Sequence, residues 1–332
     1  MRSPNEFRTG KPGFYPDQAV YAEYASAEFG LTFCDLDGGS GLLFSIASRD
    51  RLVHFGAGRC SWYPQNSATA STLASDKSFA SRILRRAGVP ALGGEYFFLH
   101  ERHRAHRPSG HERSDAIACF RTLGGSAFLK PLTGSRGDFA QAVHGEAGLV
   151  RYLDEVMKYY DAVLIQPIVD GIEYRVFLLD DEPLYCARKY PPQVTGDGVR
   201  TLRELLTAHN DALRGRGLSP VSLPANDPSL DAMPASGEPH EIPGRMNLSA
   251  GGTMVLAEAP SEKAVTLARR AAHAIGLHVA AIDLFVDVGG NPDAIEIIEV
   301  NSNPSIRLLE DSGRGDLILR IWHHTLVAMG LL

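Results

Sequence analysis

The stretch IEIIEVNSNPS, residues 295–305, combines the apolar pattern of a buried strand with polar side chains that such a strand seldom carries. Its isoleucines and valine favour a strand, yet Glu299 and Asn301 lie two residues apart and therefore share one face. A second apolar run, which contains Asp283, comes shortly before it. The two runs, residues 280–287 and 294–301, flank the turn sequence GGNPD and predict a β-hairpin.

The register of this hairpin decides what its carboxylates face. If the turn centres on Asn291, Asp283 lies directly across from Glu299, with Cβ atoms about 5 Å apart. The core face then carries Ile282, Leu284, Val286, Glu296, Ile298 and Val300, and the carboxylate face also carries Ile295 and Ile297. Facing carboxylates repel unless a cation lies between them, and Asn301 would add a neutral oxygen ligand for a divalent metal. The hairpin alone leaves open a metal site or two solvent-facing carboxylates.

The composition is that of an ordinary globular protein and excludes several classes. The 332 residues allow two or three small domains. The net charge of −6 argues against a general nucleic-acid or anionic-membrane binder. There is no apolar N-terminal signal and no run near the ~20 apolar residues that span a bilayer. The four cysteines are scattered without CxxC spacing, which favours a reducing cytoplasm over a disulfide framework or zinc site.

Helix and strand patterns occur in mixed order, which predicts an α+β (mixed α/β) fold. Residues 1–16 are expected to be irregular, and a helix is predicted over residues 75–87, with Ser75 as its cap. Residues 101–115 contain several histidines, but their polar pattern favours a solvated loop over a metal site. Residues 215–245 are rich in Pro, Ser, Gly and Asp and predict a long excursion. Further helices are predicted at 18–29, 146–160, 261–275 and 316–329, and further strands at 31–34 and 162–167.

The sequence KPLTGSRGD, residues 130–138, could supply the phosphate contacts that a metal site usually accompanies. Lys130 ends a predicted strand and can place an ammonium group on phosphate. Gly134 and Gly137 allow the following loop to fold over phosphates and donate backbone N–H groups. The pattern is not a Walker A loop, which requires GxxxxGK[ST]. Taken alone, the pattern favours a plain hairpin turn over a phosphate-binding loop.

Several blocks together resemble the ATP-grasp superfamily, in the branch of carboxylate–amine ligases that includes the ribosomal-protein glutamate ligase and the ATP-grasp module of cyanophycin synthetase. The blocks are SDKSFASRILRRAGVP (75–90), FLKPLTGSRGD (128–138), VLIQPIVDGIEYRVFLL (163–179), ARKYPPQVTGDGVRTLREL (187–205), GRMNLSAGGT (244–253), AIDLFVD (281–287) and IIEVNSNPS (297–305). The resemblance implies an N-terminal preceding domain over residues 1–90 and a central lid subdomain over 91–168. A C-terminal subdomain with a large antiparallel sheet would follow over 169–332.

The resemblance also implies roles for individual residues. Nucleotide contacts would come from Lys77, Lys130, Gly134, Ser135, Gly137, Gln166, Ile168 and Glu173. Metal ligands would be Asp283, Glu299 and Asn301, for two Mg²⁺ ions with Mn²⁺ as a substitute. Substrate contacts would come from Arg175, Lys189, Arg245 and Asn247. Lys130 and Arg245 would be catalytic, the arginine by steadying an acyl phosphate. The hinge departs from the family pattern, because Pro167 removes one backbone donor beside the adenine site.

The implied activity is ATP-dependent formation of an amide or peptide bond through an acyl phosphate, with release of ADP and phosphate. Partners would be small-molecule carboxylates and amines, amino acids or small peptides, with no nucleic acid and no membrane. The enzyme would be cytoplasmic, as a homodimer or homotetramer. Two alternatives stay open: a dipeptide ligase of the D-alanyl–D-alanine or glutathione-synthase type, and an ATP-grasp small-molecule kinase. The combination of Asp283, Glu299 and Asn301 argues against a regulatory module that holds ATP without turnover.

Overall fold

The computed structural model describes residues 2–56, 62–134, 137–215, 220–221, 223, 226–242 and 251–332. The helices in these ranges are α1 (Pro4–Arg8), α2 (Asp17–Glu28), α3 (Ala68–Ser75), α4 (Lys77–Arg86), α5 (Arg113–Thr122), α6 (Glu146–Val156), α7 (Leu202–Gly215), α8 (Glu262–Ile275), α9 (Arg307–Asp311) and α10 (Gly315–Ala328). The strands are β1 (Thr32–Asp35), β2 (Leu43–Ala47), β3 (Leu52–Gly56), β4 (Glu95–Phe98), β5 (Ser126–Pro131), β6 (Gln141–His144), β7 (Ala162–Gln166), β8 (Ile172–Leu179), β9 (Glu182–Tyr190), β10 (Gln193–Thr195), β11 (Pro239–Glu241), β12 (Thr253–Ala257), β13 (Val279–Val288) and β14 (Asn291–Asn301).

A five-stranded antiparallel sheet of order β12-β9-β8-β13-β14 forms the centre of the molecule. Alternate side chains of β8 enter two different cores, because successive residues of a strand point to opposite faces. Val176 packs with helices α3, α4 and α8 on one face, and Phe177 packs with α2 and α10 on the other. The sheet is therefore covered on both faces, which explains its long apolar strands.

A second sheet, of order β4-β7-β5-β6, carries the predicted lid segment. Helices α5 and α6 cover one of its faces and close a separate core around Phe120 and Leu153. Backbone hydrogen bonds connect the segment that precedes β4 to the large sheet. The Leu92 N–H donates to the Ile297 carbonyl, and the Ile297 N–H donates to the Pro90 carbonyl. These bonds place the four-stranded sheet beside the carboxylate hairpin.

The N-terminal segment packs into the same core as the C-terminal helices. Aromatic side chains from the β1-β2-β3 meander, such as Phe44, join Trp322 of α10 and Phe177 of the large sheet in one buried cluster. At the edge of this cluster Glu310 accepts hydrogen bonds from Arg8 and from the Tyr21 hydroxyl. The expected boundary at residue 90 remains a prediction.

Most of the predicted elements are present, and two are corrected. The expected helix 75–87 is present as α4 but begins at Lys77, because Asp76 is extended and its carboxylate caps the helix by accepting from the N–H groups of Ser78 and Phe79. Ser75 is not a cap; its hydroxyl donates to the Ser71 carbonyl within α3. Residues 1–16 are not irregular throughout, because a Ser3 and Glu6 capping box begins α1.

The remaining expectations hold with small changes at the ends. Helices α2, α8 and α10 and strands β1 and β7 match within two residues, whereas α6 ends at Val156 rather than 160. The loop 101–115 contains a 3₁₀ turn, Arg104–His106, and the start of α5. Within the described part of residues 215–245 there are a second 3₁₀ turn, Pro228–Asp231, and strand β11. No helix within the described ranges is long and apolar enough to span a bilayer.

Candidate active site

The hairpin β13–β14 places Asp283 directly opposite Glu299, as the sequence predicts. The turn itself is tighter than expected, since Val288 pairs with Asn291 around two glycines of positive φ. The strand pairing shifts register twice, between Val286 and Val288 and again at residue 298. These two shifts restore the expected pairing at Asp283. The two candidate metal-binding carboxylates therefore share one face of the sheet.

The bulge at residue 298 overturns part of the expected face assignment. Ile297 pairs with Leu284 and is 1% exposed, so it faces the core rather than the carboxylates. Ile295 is buried on the same core face. Glu296 pairs with Phe285 and lies on the other face. The extra residue reverses the alternation along the outer half of β14, because the side-chain period of a strand is two.

Asp283 is completely buried and already carries two cationic partners. Arg175 on β8 donates from Nε to Oδ1 at 2.7 Å and from Nη2 to Oδ2 at 2.8 Å. Lys189 on β9 donates to the same Oδ2 at 2.8 Å. Burial alone would raise the pKa of Asp283, but the two adjacent charges outweigh burial and hold that pKa well below its usual range. Asp283 is therefore an ionised buried carboxylate.

Lys189 connects two carboxylates. Its ammonium donates to Glu173 on β8 as well as to Asp283, and its side chain is 4% exposed. Burial would lower the pKa of Lys189, but the attraction of Asp283 and Glu173 reverses the shift and raises that pKa. Lys189 is thus held in its charged form between the predicted ribose carboxylate and a predicted metal ligand.

Two further lysines reach the site from the side of the four-stranded sheet. Lys77, the first residue of α4, donates from Nζ to the Gly134 carbonyl at 2.8 Å, and burial lowers its pKa despite the attraction of Glu299. Lys130 is 6% exposed near the end of β5. Burial lowers the pKa of Lys130 to about 8, which Glu299 partly opposes and Lys77 reinforces. In the described ranges its ammonium has no hydrogen-bond or ion-pair partner.

Among the described residues, the cluster around Asp283 carries one more positive than negative side chain. Its cations are Lys77, Lys130, Arg175 and Lys189, and its carboxylates are Glu173, Asp283 and Glu299. Lys77 and Glu299 line a cleft, and most of these side chains are largely buried, where charges interact through a low effective dielectric. Such a cluster suits an anion such as a polyphosphate more than it suits an isolated cation.

The three proposed metal ligands lie together in this cluster, but one of them is occupied by other donors. Asn301 donates from Nδ2 to Asp283 Oδ2 and to Glu299 Oε1, each at 3.3 Å, so the three side chains converge. Asp283 Oδ2, however, already accepts from Arg175, Lys189 and Asn301. No three His, Cys, Asp or Glu side chains among the described residues form a metal-binding group. A metal would therefore need Lys189 to move, or ligands from elsewhere.

The adjoining cleft, about 320 Å³ in open volume, runs between α4, β7 and β14. Gln166 lies in its wall, and its amide donates to the Gly93 carbonyl at 3.0 Å. Ile168, the other expected adenine contact, is 47% exposed. Ser81 and Leu92 also line the cleft and were not foreseen, because neither residue type carries a signal for nucleotide binding.

The structure brings together most of the residues singled out in the sequence. Ser135, Arg245 and Asn247 lie outside the described residues. Arg175 and Lys189, expected to contact substrate, contact Asp283 in this structure. The individual binding roles remain predictions, whereas the convergence of the lysines and carboxylates at one place is observed.

Relatives in sequence and structure agree on the kind of fold. The chain is 27% identical over 217 residues to the glutathione biosynthesis bifunctional protein GshAB of Mannheimia succiniciproducens, covering 58% of this chain and 29% of that protein. It is 26% identical over 267 residues to the cyanophycin synthetase of Synechocystis, covering 71% of this chain and 28% of that protein. A scan against models of known protein families finds no match.

Among solved structures, a bifunctional glutathione synthetase from Pasteurella multocida matches 93% of this chain and 44% of its own, with a TM-score of 0.56 and 18% identity. The D-alanine–D-alanine ligase from Bacillus anthracis matches 80% of this chain and 71% of its own, with a TM-score of 0.52 and 14% identity. The chain has the ATP-grasp fold. The resemblance to ATP-grasp carboxylate–amine ligases seen in the sequence is thereby confirmed, although the chain spans only about a third or less of the length of the curated relatives.

Proposed function

We propose that this ATP-grasp chain is an ATP-dependent ligase that joins a carboxylate to an amine through an acyl phosphate. The observation that carries the proposal is the Asp283–Glu299 pair, whose charges interact with the buried Lys130, within a cluster that favours anions. The relatives support it, because their names describe glutathione biosynthesis and cyanophycin synthesis. Amino acids or small peptides are the proposed acid and amine.

The proposed cofactors are ATP and Mg²⁺, with two ions and with Mn²⁺ as a substitute. Glu299 and Asn301 would hold magnesium directly, and Asp283 would join them once Lys189 has moved. Mg²⁺ seldom relies on protein ligands alone and usually shares the phosphates of a nucleotide. The metal would supply charge neutralisation on the phosphates during transfer.

The lysines of the site would bind and orient the phosphates. Lys130 is buried near the charge of Glu299 and has no hydrogen-bond or ion-pair partner among the described residues, so the phosphates would gain its charge without breaking an ion pair. Lys77 joins α4 to the glycine loop through Gly134, so a phosphate that takes over this ammonium would also free the loop to close. Closure over residues 130–138 would exclude water from the reaction.

The reaction balances without a protein nucleophile. A carboxylate oxygen of the acid attacks the γ-phosphorus, the bond from phosphorus to the β–γ bridging oxygen breaks, and ADP leaves. The amine nitrogen then attacks the acyl carbon, the carbon–oxygen bond to phosphate breaks, and the nitrogen loses a proton. Arg245 is the proposed donor to the oxyanion, on the basis of the sequence resemblance; donors in such positions contribute about 3–4 kcal/mol.

The test is a pairwise panel of amino acids with ATP and Mg²⁺, read by phosphate release and mass spectrometry. A ligase gives a product whose mass is the sum of acid and amine less water, together with ADP. With hydroxylamine in place of the amine it gives a hydroxamate. A phosphate ester on a hydroxyl would favour the kinase alternative, and AMP with pyrophosphate would contradict the proposal. Glu299→Gln is the inactive control.

We further propose a cytoplasmic location and assembly as a homodimer or homotetramer. Cys34, Cys119 and Cys186 are free thiols, which suits a reducing compartment. Light scattering of the purified protein would test the assembly, and a monomer at micromolar concentration would contradict it.

A further inference from the structure

The Lys189 ammonium is the counter-ion of two carboxylates in the centre of the site. Lys189 extends from β9 across β8, and its ammonium bonds Glu173 on one side and Asp283 Oδ2 on the other. Both carboxylates are deeply buried, so neither can rely on water to stabilise its charge. Arg175 neutralises Asp283 from β8, whereas Lys189 is shared between the two carboxylates.

A metal ion and Lys189 would compete for the same oxygen. Asp283 Oδ2 accepts from Lys189 at 2.8 Å, from Arg175 at 2.8 Å and from Asn301 at 3.3 Å. A carboxylate oxygen has two lone-pair sites, so a cation that binds Oδ2 beside three donors is expected to displace one of them. The Asn301 contact is long, and Arg175 binds both oxygens of Asp283, so the single bond from Lys189 is the exchangeable ionic contact.

The charge of the whole cluster opposes a metal that arrives alone. Among the described residues the cluster has one excess positive side chain, and a divalent ion would increase that excess to three. A nucleotide reverses the balance, because its phosphates bring several negative charges and give the ammonium of Lys189 another anion to bind. Displacement of Lys189 from Asp283 therefore becomes favourable only when phosphates are present.

We infer that Lys189 is a resident counter-ion that blocks the metal site until nucleotide phosphates draw it away, so that metal binding depends on nucleotide. The inference rests on the proposed function and adds an order of assembly to it. Lys189 is in this sense a positioning residue, since it acts on the metal through Asp283. The coupling disfavours a metal-loaded site that lacks nucleotide.

The experiment measures Mn²⁺ binding by electron paramagnetic resonance, with and without ADP, and needs no turnover. Wild type should bind Mn²⁺ with ADP and bind it weakly or not at all without. Lys189→Met should bind Mn²⁺ without ADP at least about tenfold more tightly than wild type, an ordinary magnitude for coupled sites. Lys130→Met is the matched control: it removes one charge near the same carboxylates but breaks no recorded bond to Asp283, so its gain should be much smaller.

Three results would overturn the inference. An unchanged Mn²⁺ affinity in Lys189→Met would show that the lysine does not block the metal. Equal gains in Lys189→Met and Lys130→Met would show an effect of net charge alone. Metal binding by wild type that is as tight without ADP as with it would remove the coupling itself. If wild type binds no Mn²⁺ even with ADP, the proposed metal site fails together with the inference, which separates that case from the other three.

Folding of the variants is checked by circular dichroism, and Lys189→Gln serves as a second neutral variant. A crystal structure of wild type with ADP and Mg²⁺ gives a measurement that needs no variant. It should show Lys189 Nζ beyond hydrogen-bond distance from Asp283 while Arg175 keeps both of its bonds. A metal bound at Glu299 with Lys189 still on Asp283 would refute displacement.

Discussion

Replacement of Asp283 by asparagine should destabilise the protein far more than the corresponding change at Glu299. Asp283 is 0% exposed and is the counter-charge of Arg175, whose guanidinium it binds through both oxygens. Asparagine keeps the shape but leaves Arg175 as a buried cation without its anion. Removal of one partner of a buried ion pair costs about 3–5 kcal/mol, so we expect Asp283→Asn to lower the free energy of unfolding by that amount.

Glu299 is a matched control because it is the other proposed metal carboxylate and lies directly opposite. Its one recorded hydrogen bond within the described ranges is the 3.3 Å contact from Asn301, and it is only half-buried. The lost contact should cost about 1 kcal/mol or less. Lys130 limits the damage further, since its pKa of about 8 lets it release a proton when the neighbouring carboxylate is gone.

The assay is urea unfolding followed by circular dichroism for both variants in metal-free and nucleotide-free buffer. A double-mutant cycle sharpens it: Arg175→Met added to Asp283→Asn removes the orphaned cation, so the double variant should be more stable than Asp283→Asn alone. Equal losses of stability in Asp283→Asn and Glu299→Gln would refute the account of the buried ion pair. A double variant whose loss of stability equals the sum of the two single losses would also refute it.

Three further predictions concern the lysines and a helix cap. Binding of ADP at pH 8.5 should take up a fraction of a proton, because Lys130 is mostly neutral above its pKa of about 8 and the phosphates raise that pKa. Calorimetry in buffers of different ionisation enthalpy should detect this proton uptake in wild type and not in Lys130→Met. Lys77→Met should speed proteolysis of the loop near Gly134 without nucleotide, since the Nζ bond to that carbonyl is lost; unchanged cleavage would argue against the tether. Asp76→Ala should cost about 1 kcal/mol in urea unfolding because it caps α4, whereas Ser75→Ala should cost little; the reverse order would contradict the assignment.

The sequence predicts contacts well where they depend on local spacing. The pairing of Asp283 with Glu299 follows from alternation on either side of one turn, and the structure confirms it. The bulge at residue 298 could not be foreseen, because two adjacent isoleucines satisfy either face of the strand equally. The cap of α4 was assigned to Ser75 instead of Asp76 for a similar reason: both residues are good caps, and only the backbone shows which one is used.

The ion-pair network around Lys189 depends on tertiary structure. Lys189 lies 94 residues from Asp283 in the chain, and Arg175 lies 108 residues from it. Only the order β9-β8-β13 in the sheet brings the three together. A family resemblance implies that such residues matter, but it does not tell whether each one contacts substrate or a neighbouring carboxylate.

The transfer of oxygen from acid to phosphate tests the central claim most directly. The acid is supplied with ¹⁸O in both carboxylate oxygens, together with ATP, Mg²⁺ and the amine, and the products are analysed by mass spectrometry. A ligase that acts through an acyl phosphate releases inorganic phosphate carrying one ¹⁸O and an amide that retains the other. Phosphate without ¹⁸O, or AMP that carries it, would contradict the account.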